Sequence, residues 1–186
     1  MAAPTPASWT VAMGVIGRCF VTTVRLICTR RLHQPRDNVG RIVDFADGTH
    51  TTVYRETTRD VSGATEPVTL VVCFRLRWVR GNRLAHWLFR AESLANTPLF
   101  AGFDGFVTKL WMTNDEHNIY RGVYDWDGHE RAVAYVRALW WPLMVVSQRQ
   151  SIAFHIIDGQ HRDDVLRGDA GEAETAWWSG RMRPGC

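Results

Sequence analysis

Four residues of this chain have the types and the spacing to do acid–base chemistry on an apolar molecule: Lys109, Trp111, Tyr120 and Tyr124. They lie in FVTKLWMTNDEHNIYRGVYDW, residues 106–126, where two runs of aromatic and β-branched residues flank the polar stretch Asn114-Asp115-Glu116-His117-Asn118. That pattern predicts a β-hairpin. With Asn114 opposite Ile119, Lys109 faces Tyr124, Trp111 faces Gly122 and Thr113 faces Tyr120. All share one face, because strand side chains alternate. A slip of one residue sends the whole set to the other face. Lys109 is the one lysine among 22 Lys and Arg residues. Burial disfavours the charged form of an amine, so a lysine desolvated among these rings has a lowered pKa. It can then act as a base, or hold an anionic phenolate or enolate. The blander reading is that Lys109 snorkels to a rim and the aromatic residues are core.

Other side chains are weaker candidates. His155, on the last predicted strand, is the alternative to Lys109 as the proton-transfer group, and His86 on a predicted helix is a further pocket histidine. Arg75 and Arg77 alternate along one strand and point the same way. Buried arginines need partners, and Asp125 or Glu92 can supply them; Arg75 otherwise reads as an anion-binding residue. His117 and His161 read as solvated. Cys19, Cys28, Cys73 and Cys186 are scattered, with no C-x-x-C pair and no histidine at metal-ligand spacing, which fits free thiols in a reducing cytoplasm. There is no G-x-G-x-x-G, P-loop, G-x-S-x-G or H-E-x-x-H, so no motif supports nucleotide- or zinc-dependent chemistry.

The elements that must position these residues follow from periodicity. Trp9, Met13, Ile16, Phe20, Val24 and Ile27 form a helical stripe, with Arg18, Arg25 and Arg30 off it. The arginines argue against a membrane span, and the absence of a basic lead-in argues against a signal peptide. Two readings survive for residues 9–32: a helix that packs its stripe on the domain or a partner subunit, or one lying on a membrane surface. Leu32 to Asn38 reads as a linker. Residues 40–45 and 49–56 read as strands about the turn Ala46-Asp47-Gly48. Val68 to Phe74 is apolar enough for a strand covered on both faces. Gly81-Asn82 opens a helix ending near Asn96, and Asp127, with Glu130 three residues on, is placed to cap a second helix. Pro142 should end or kink that helix. Residues 151–158 are a last strand, and residues 159–186 read as a partly disordered tail.

The expected organisation is an N-terminal extension over 1–67, with an amphipathic helix at 9–32 and a β-hairpin at 40–57, and a domain over 68–158. Its order, β-α-β-β-α-β, predicts an α+β ferredoxin-like antiparallel sheet with both helices on one face. The other face is not polar, so the simplest cover is a second subunit, giving a homodimer and a dimeric α/β barrel. A hydrophobic fraction of 46% and nine tryptophans exclude wholesale disorder. A net charge of +3 with both signs interspersed gives no basic patch for nucleic acid.

Gly105-Phe106, Lys109-Leu110-Trp111, Asn114-Asp115-Glu116 and Tyr120-Arg121-Gly122-Val123-Tyr124-Asp125-Trp126 together resemble the dimeric α/β-barrel superfamily. The likeness is to its small monooxygenase-like members, related to the antibiotic-biosynthesis monooxygenases. It covers roughly residues 68–158. It implies a pocket between sheet and helices in each protomer, lined by Trp111, Tyr120, Tyr124, Arg75 and His86, with Lys109 or His155 as the acid/base group. It implies a hydrophobic, aromatic or polyketide-like substrate of secondary metabolism. Cofactor-independent oxygenation is the leading expectation, with cofactor-free cyclisation or isomerisation, or a non-catalytic ligand-binding or assembly role, as alternatives. Haem and flavin stay open as cofactors, and no metal is implied. The expected location is cytoplasmic, with peripheral membrane contact as the alternative for residues 9–32.

Overall fold

A computed structural model describes residues 6–61, 65–77, 97–168 and 176–184. In chain order its regular elements are α1 (Trp9–Cys28), β1 (Leu32–His33), β2 (Ile42–Phe45), β3 (His50–Arg59), β4 (Pro67–Arg75), β5 (Phe106–Met112), β6 (Ile119–Asp127), α2 (His129–Val146), β7 (Ala153–Asp158), α3 (Arg162–Arg167) and β8 (Gly180–Met182), with short 3-10 turns at Thr97–Leu99 and Arg149–Ser151. The strands form one curled eight-stranded sheet in the order β7-β4-β6-β5-β3-β2-β8, with β1 paired to β3. Every pairing is antiparallel.

This corrects the expected fold. The domain is not a ferredoxin-like four-stranded sheet with two helices on one face. Strand β5, an edge strand in that arrangement, pairs along its length with β3 from Val53↔Met112 to Thr58↔Thr108. The N-terminal hairpin therefore continues the sheet, and β8 from the C-terminal segment extends it beyond β2. The second face is not bare either. Leu166 of α3 is part of a core on that face with Val43, Phe45, Val53, Val71, Leu110, Met112 and Val123, and Trp177, Trp178 and Met182 pack against it. The chain itself supplies the cover that a second subunit was expected to give in a dimeric barrel. The helix expected over residues 81–96 lies outside the described residues.

The hairpin at β5 and β6 has the expected register, with Lys109 opposite Tyr124 and Trp111 opposite Gly122. Asp115 sets the turn: one carboxylate oxygen accepts from the backbone N–H groups of His117 and Ile119, at 2.8 and 2.9 Å. Asn118 takes the left-handed φ of 59° that closes it. One expectation around α2 fails. Asp127 does not cap the helix, which starts after Gly128 without a side-chain cap. Its carboxylate instead accepts from the backbone N–H groups of Thr65 and Glu66. Pro142 does not end the helix, which continues through it to Val146.

Helix α1 packs by a different face from the one its sequence suggests. Its buried residues are Ala12, Cys19, Thr23 and Leu26, while Trp9, Phe20 and Ile27 of the apolar stripe are more than half exposed. The reason is closeness of approach. A Cβ on Gly102 would stand 2.0 Å from the carbonyl oxygen of Cys19, so the helix meets the 97–105 loop backbone to backbone, and only its small-residue face fits there. The helix is also long and apolar enough to cross a bilayer, with a mean hydropathy of 1.7, in spite of its arginines. It ends in a pair of bonds, Arg30 N–H to the Ile27 carbonyl and Arg31 N–H to the Leu26 carbonyl. Arg30 takes a φ of 54° there, in the position that glycine usually fills.

Candidate active site

Strand alternation places Lys109 and Trp111 of β5, and Tyr120, Gly122, Tyr124 and Trp126 of β6, on the sheet face that carries α1 and α2. Cross-strand rows run Thr57–Lys109–Tyr124–Leu70–Ile156 and Arg55–Trp111–Gly122–Val72–Phe154. Gly122 leaves the space that the Tyr124 ring needs: a Cβ there would lie 3.0 Å from that ring. Phe100, from the loop before β5, closes over the row and meets the Trp111 ring edge-on at 5.1 Å.

The Lys109 ammonium is enclosed by ring faces. Its Nζ lies 3.3 Å from the Trp111 centroid, 4.5 Å from Phe100 and 4.7 Å from Tyr124. The residue is 8% exposed. Among the described residues no carboxylate pairs with it and no hydrogen-bond acceptor meets it. Burial pushes its pKa well below the ordinary lysine value, and the nearby Arg55 guanidinium pushes the same way. The cation–π contacts favour the charged form and oppose this shift. The geometry therefore holds an amine of lowered pKa in an apolar enclosure, with no described acid beside it.

The polar atoms of the enclosing rings are satisfied elsewhere. The Trp111 indole N–H donates to Thr57 Oγ1 at 3.0 Å, and the Tyr135 hydroxyl of α2 donates to the Tyr124 hydroxyl at 3.3 Å. Both phenols are buried, and desolvation holds each above its ordinary pKa, so they stay neutral donors. Arg55 sits with its guanidinium carbon 5.0 Å from the Trp111 centroid and donates to Thr97 Oγ1 at 2.6 Å.

Of the residues expected to form one site, the structure brings together Lys109, Trp111 and Tyr124. Tyr120 shares their face but stacks on Phe74, at 5.9 Å and 16°. Arg75 falls on the opposite face, opposite Ile119. Arg77 neither lines the site nor pairs with Asp125; it donates to the Met144 and Ser147 carbonyls at the end of α2. His155 also points away: it pairs with Val71 on the far face and stacks flat on Trp178 at 3.9 Å, and burial lowers its pKa. His86 lies outside the described residues. Arg55, Thr57, Phe100 and Tyr135 are the neighbours that sequence reasoning missed. The signal for Arg55 and Thr57 was their place on β3, readable only once β3 is known to pair with β5.

The far face handles charge differently. Buried Arg121 bonds Asp115 at 2.6 Å, Thr49 at 2.9 Å and the turn residue Asp47. Buried Arg162 bonds Glu56 and Asp163, each at 2.9 Å, and its backbone N–H reaches Asp125 at 2.6 Å. Desolvation nonetheless raises the Asp125 pKa. A separate cleft of about 440 Å³ lies between α1, the 102–104 loop and the start of α2, lined by Arg18, Cys19, Asp104, Glu130 and Arg131 among others. Its Cys19 thiol is pushed up to about 11 by burial, which makes it a poor nucleophile. Among the described residues no group of three or more His, Cys, Asp or Glu side chains could hold a metal ion. No family model, curated protein or solved structure matches this chain.

Proposed function

We propose that this chain is a small, cofactor-independent enzyme that deprotonates a hydrophobic, aromatic small molecule with Lys109 as the base. The observation that carries the reading is an amine, depressed in pKa by burial, whose nearest described neighbours are three aromatic faces and a second cation rather than an acid. A neutral Lys109 takes the proton of a phenol or enol. The substrate is left as an anion, and the new ammonium stays over the Trp111 ring. Arg55 adds positive charge beside that anion. Exclusion of water keeps these interactions strong. An electron-rich anion of this kind is the species that dioxygen attacks in monooxygenase-like chemistry, and equally the one that cyclises or isomerises. His155 has no part in the step, being on the other face. The free thiols of Cys19, Cys28 and Cys73 suit a reducing cytoplasm.

A chromogenic phenol tests the step directly. 4-Nitrophenol, offered below its own pKa, is expected to bind the wild-type protein and show the absorbance of the phenolate. The Lys109→Met variant is expected to bind it without that band. A band of equal strength in both proteins would remove Lys109 from the chemistry.

A further inference from the structure

Helix α1 carries a second periodicity besides the stripe read from its large residues. Thr10, Gly14, Gly17, Val21, Val24 and Cys28 are spaced four, three, four, three and four apart, the heptad spacing of a coiled-coil seam. All six are exposed. The seam lies almost opposite the face of Ala12, Cys19 and Leu26 that docks on the domain, since residues advance 100° each around a helix. Added Cβ atoms at Gly14 and Gly17 would meet nothing within 4 Å. The two glycines thus serve no contact inside this chain, although each costs helix stability of about 1 kcal/mol relative to alanine.

We infer that α1 is the interface of a parallel homodimer, formed by packing this seam against the same seam of a second copy. The area supports a second copy. Trp9, Phe20, Val21, Val24 and Ile27 are 52, 53, 68, 43 and 55% exposed. They leave roughly 600 Å² of apolar surface bare on one helix, and the seam glycines and Cys28 bring it towards the ~800 Å² per partner of a standard interface. Charge selects the orientation. Arg18 and Arg25 flank the seam on one side, and Met13, Phe20 and Ile27 flank it on the other. An antiparallel pair would bring the arginine flanks of both copies together. A parallel pair sets each arginine flank against the apolar flank of the partner, where Phe20 offers its ring to a guanidinium. Small residues at two successive seam positions let the backbones approach closely.

The parallel arrangement brings Cys28 of one copy against Cys28 of the other, which gives a covalent readout. The full chain is run in sedimentation equilibrium under reducing conditions, beside Val21→Asp and Gly17→Leu variants. Both sites are open in the single chain, so circular dichroism should show the fold retained. A dimer is expected for the wild type, and at least a tenfold loss of association for each variant. Mild oxidation by copper–phenanthroline should yield a covalent wild-type dimer that Cys28→Ser abolishes; this arm needs no folded variant. A wild-type monomer at tens of micromolar would overturn the inference. So would a dimer indifferent to Val21→Asp, or one that still cross-links without Cys28. Monomeric protein that floats with phosphatidylcholine vesicles would show that a bilayer covers this face instead.

Discussion

Replacing Lys109 by methionine should make the protein more stable at neutral pH. The substitution keeps an unbranched side chain of similar length and removes a buried amine whose charged form no described acid compensates. Each unit by which burial depresses the pKa represents about 1.4 kcal/mol, and the three ring contacts return part of it, about 0.5–2 kcal/mol for a desolvated cation–π contact. The expected gain is about 1–3 kcal/mol, as for other buried charges replaced by apolar residues. For a chain of this size that is a rise in Tm of roughly 2–4 °C per kcal/mol. The pH dependence fixes the cause. The folded-state pKa lies below the ordinary value of 10.5, so between the two the unfolded chain holds a proton that the folded chain lacks. Wild-type stability therefore rises with pH across that window. The advantage of the methionine variant is fully present below the folded pKa and disappears as pH rises through 10.5. Cys19 and Cys73, whose thiols also titrate near there, are common to both proteins and cancel in the difference. Urea titrations at neutral and strongly alkaline pH measure it. A variant less stable than wild type at neutral pH, or a difference that ignores pH, would refute the buried-amine argument.

Gly102→Ala should cost about 2–4 kcal/mol, because its Cβ would stand 2.0 Å from the Cys19 carbonyl oxygen and 2.8 Å from Thr23 Oγ1; limited proteolysis should then cut near α1 before the sheet. Arg162→Met should cost about 3–5 kcal/mol by leaving Glu56 buried and unpaired, and adding Glu56→Leu should recover most of the loss in a double-mutant cycle followed by thermal melts.

The local hairpin was legible in the sequence because its signals are local. Alternation from Phe106 to Met112 and from Ile119 to Asp127, with a polar turn between, determines both pairing and face. The pairing of β3 with β5 was not legible. It joins residues some fifty positions apart, and nothing near Arg55 announces Trp111 as its neighbour. The ferredoxin-like reading failed at that point: it treated β5 as an edge and the first 67 residues as an appendage. The α1 stripe misled for another reason. Apolar periodicity shows which faces avoid water, but Gly102 decides which face reaches the domain, and it favours small residues over large ones.

The strongest argument for Lys109 is its contrast with two buried arginines of the far face. Arg121 sits between Asp115 and Asp47 over the Phe45 ring. Arg162 is held by Glu56 and Asp163. Each is on the far face, and each has a carboxylate within ion-pair distance, the ordinary condition for a charge to survive burial. Lys109 is on the near face, with rings where the arginines have acids. Arginine at that position would keep its charge at any physiological pH, whereas lysine can lose it. Among the 22 Lys and Arg residues of the chain, the one able to surrender its proton sits where surrendering it is easiest. A purely structural cation would be served at least as well by arginine, so Lys109→Arg should keep the fold and the enclosed charge but lose the rise of stability with pH that a titrating buried amine produces. An arginine variant that kept the wild-type pH dependence in urea titrations would reduce Lys109 to a packing residue.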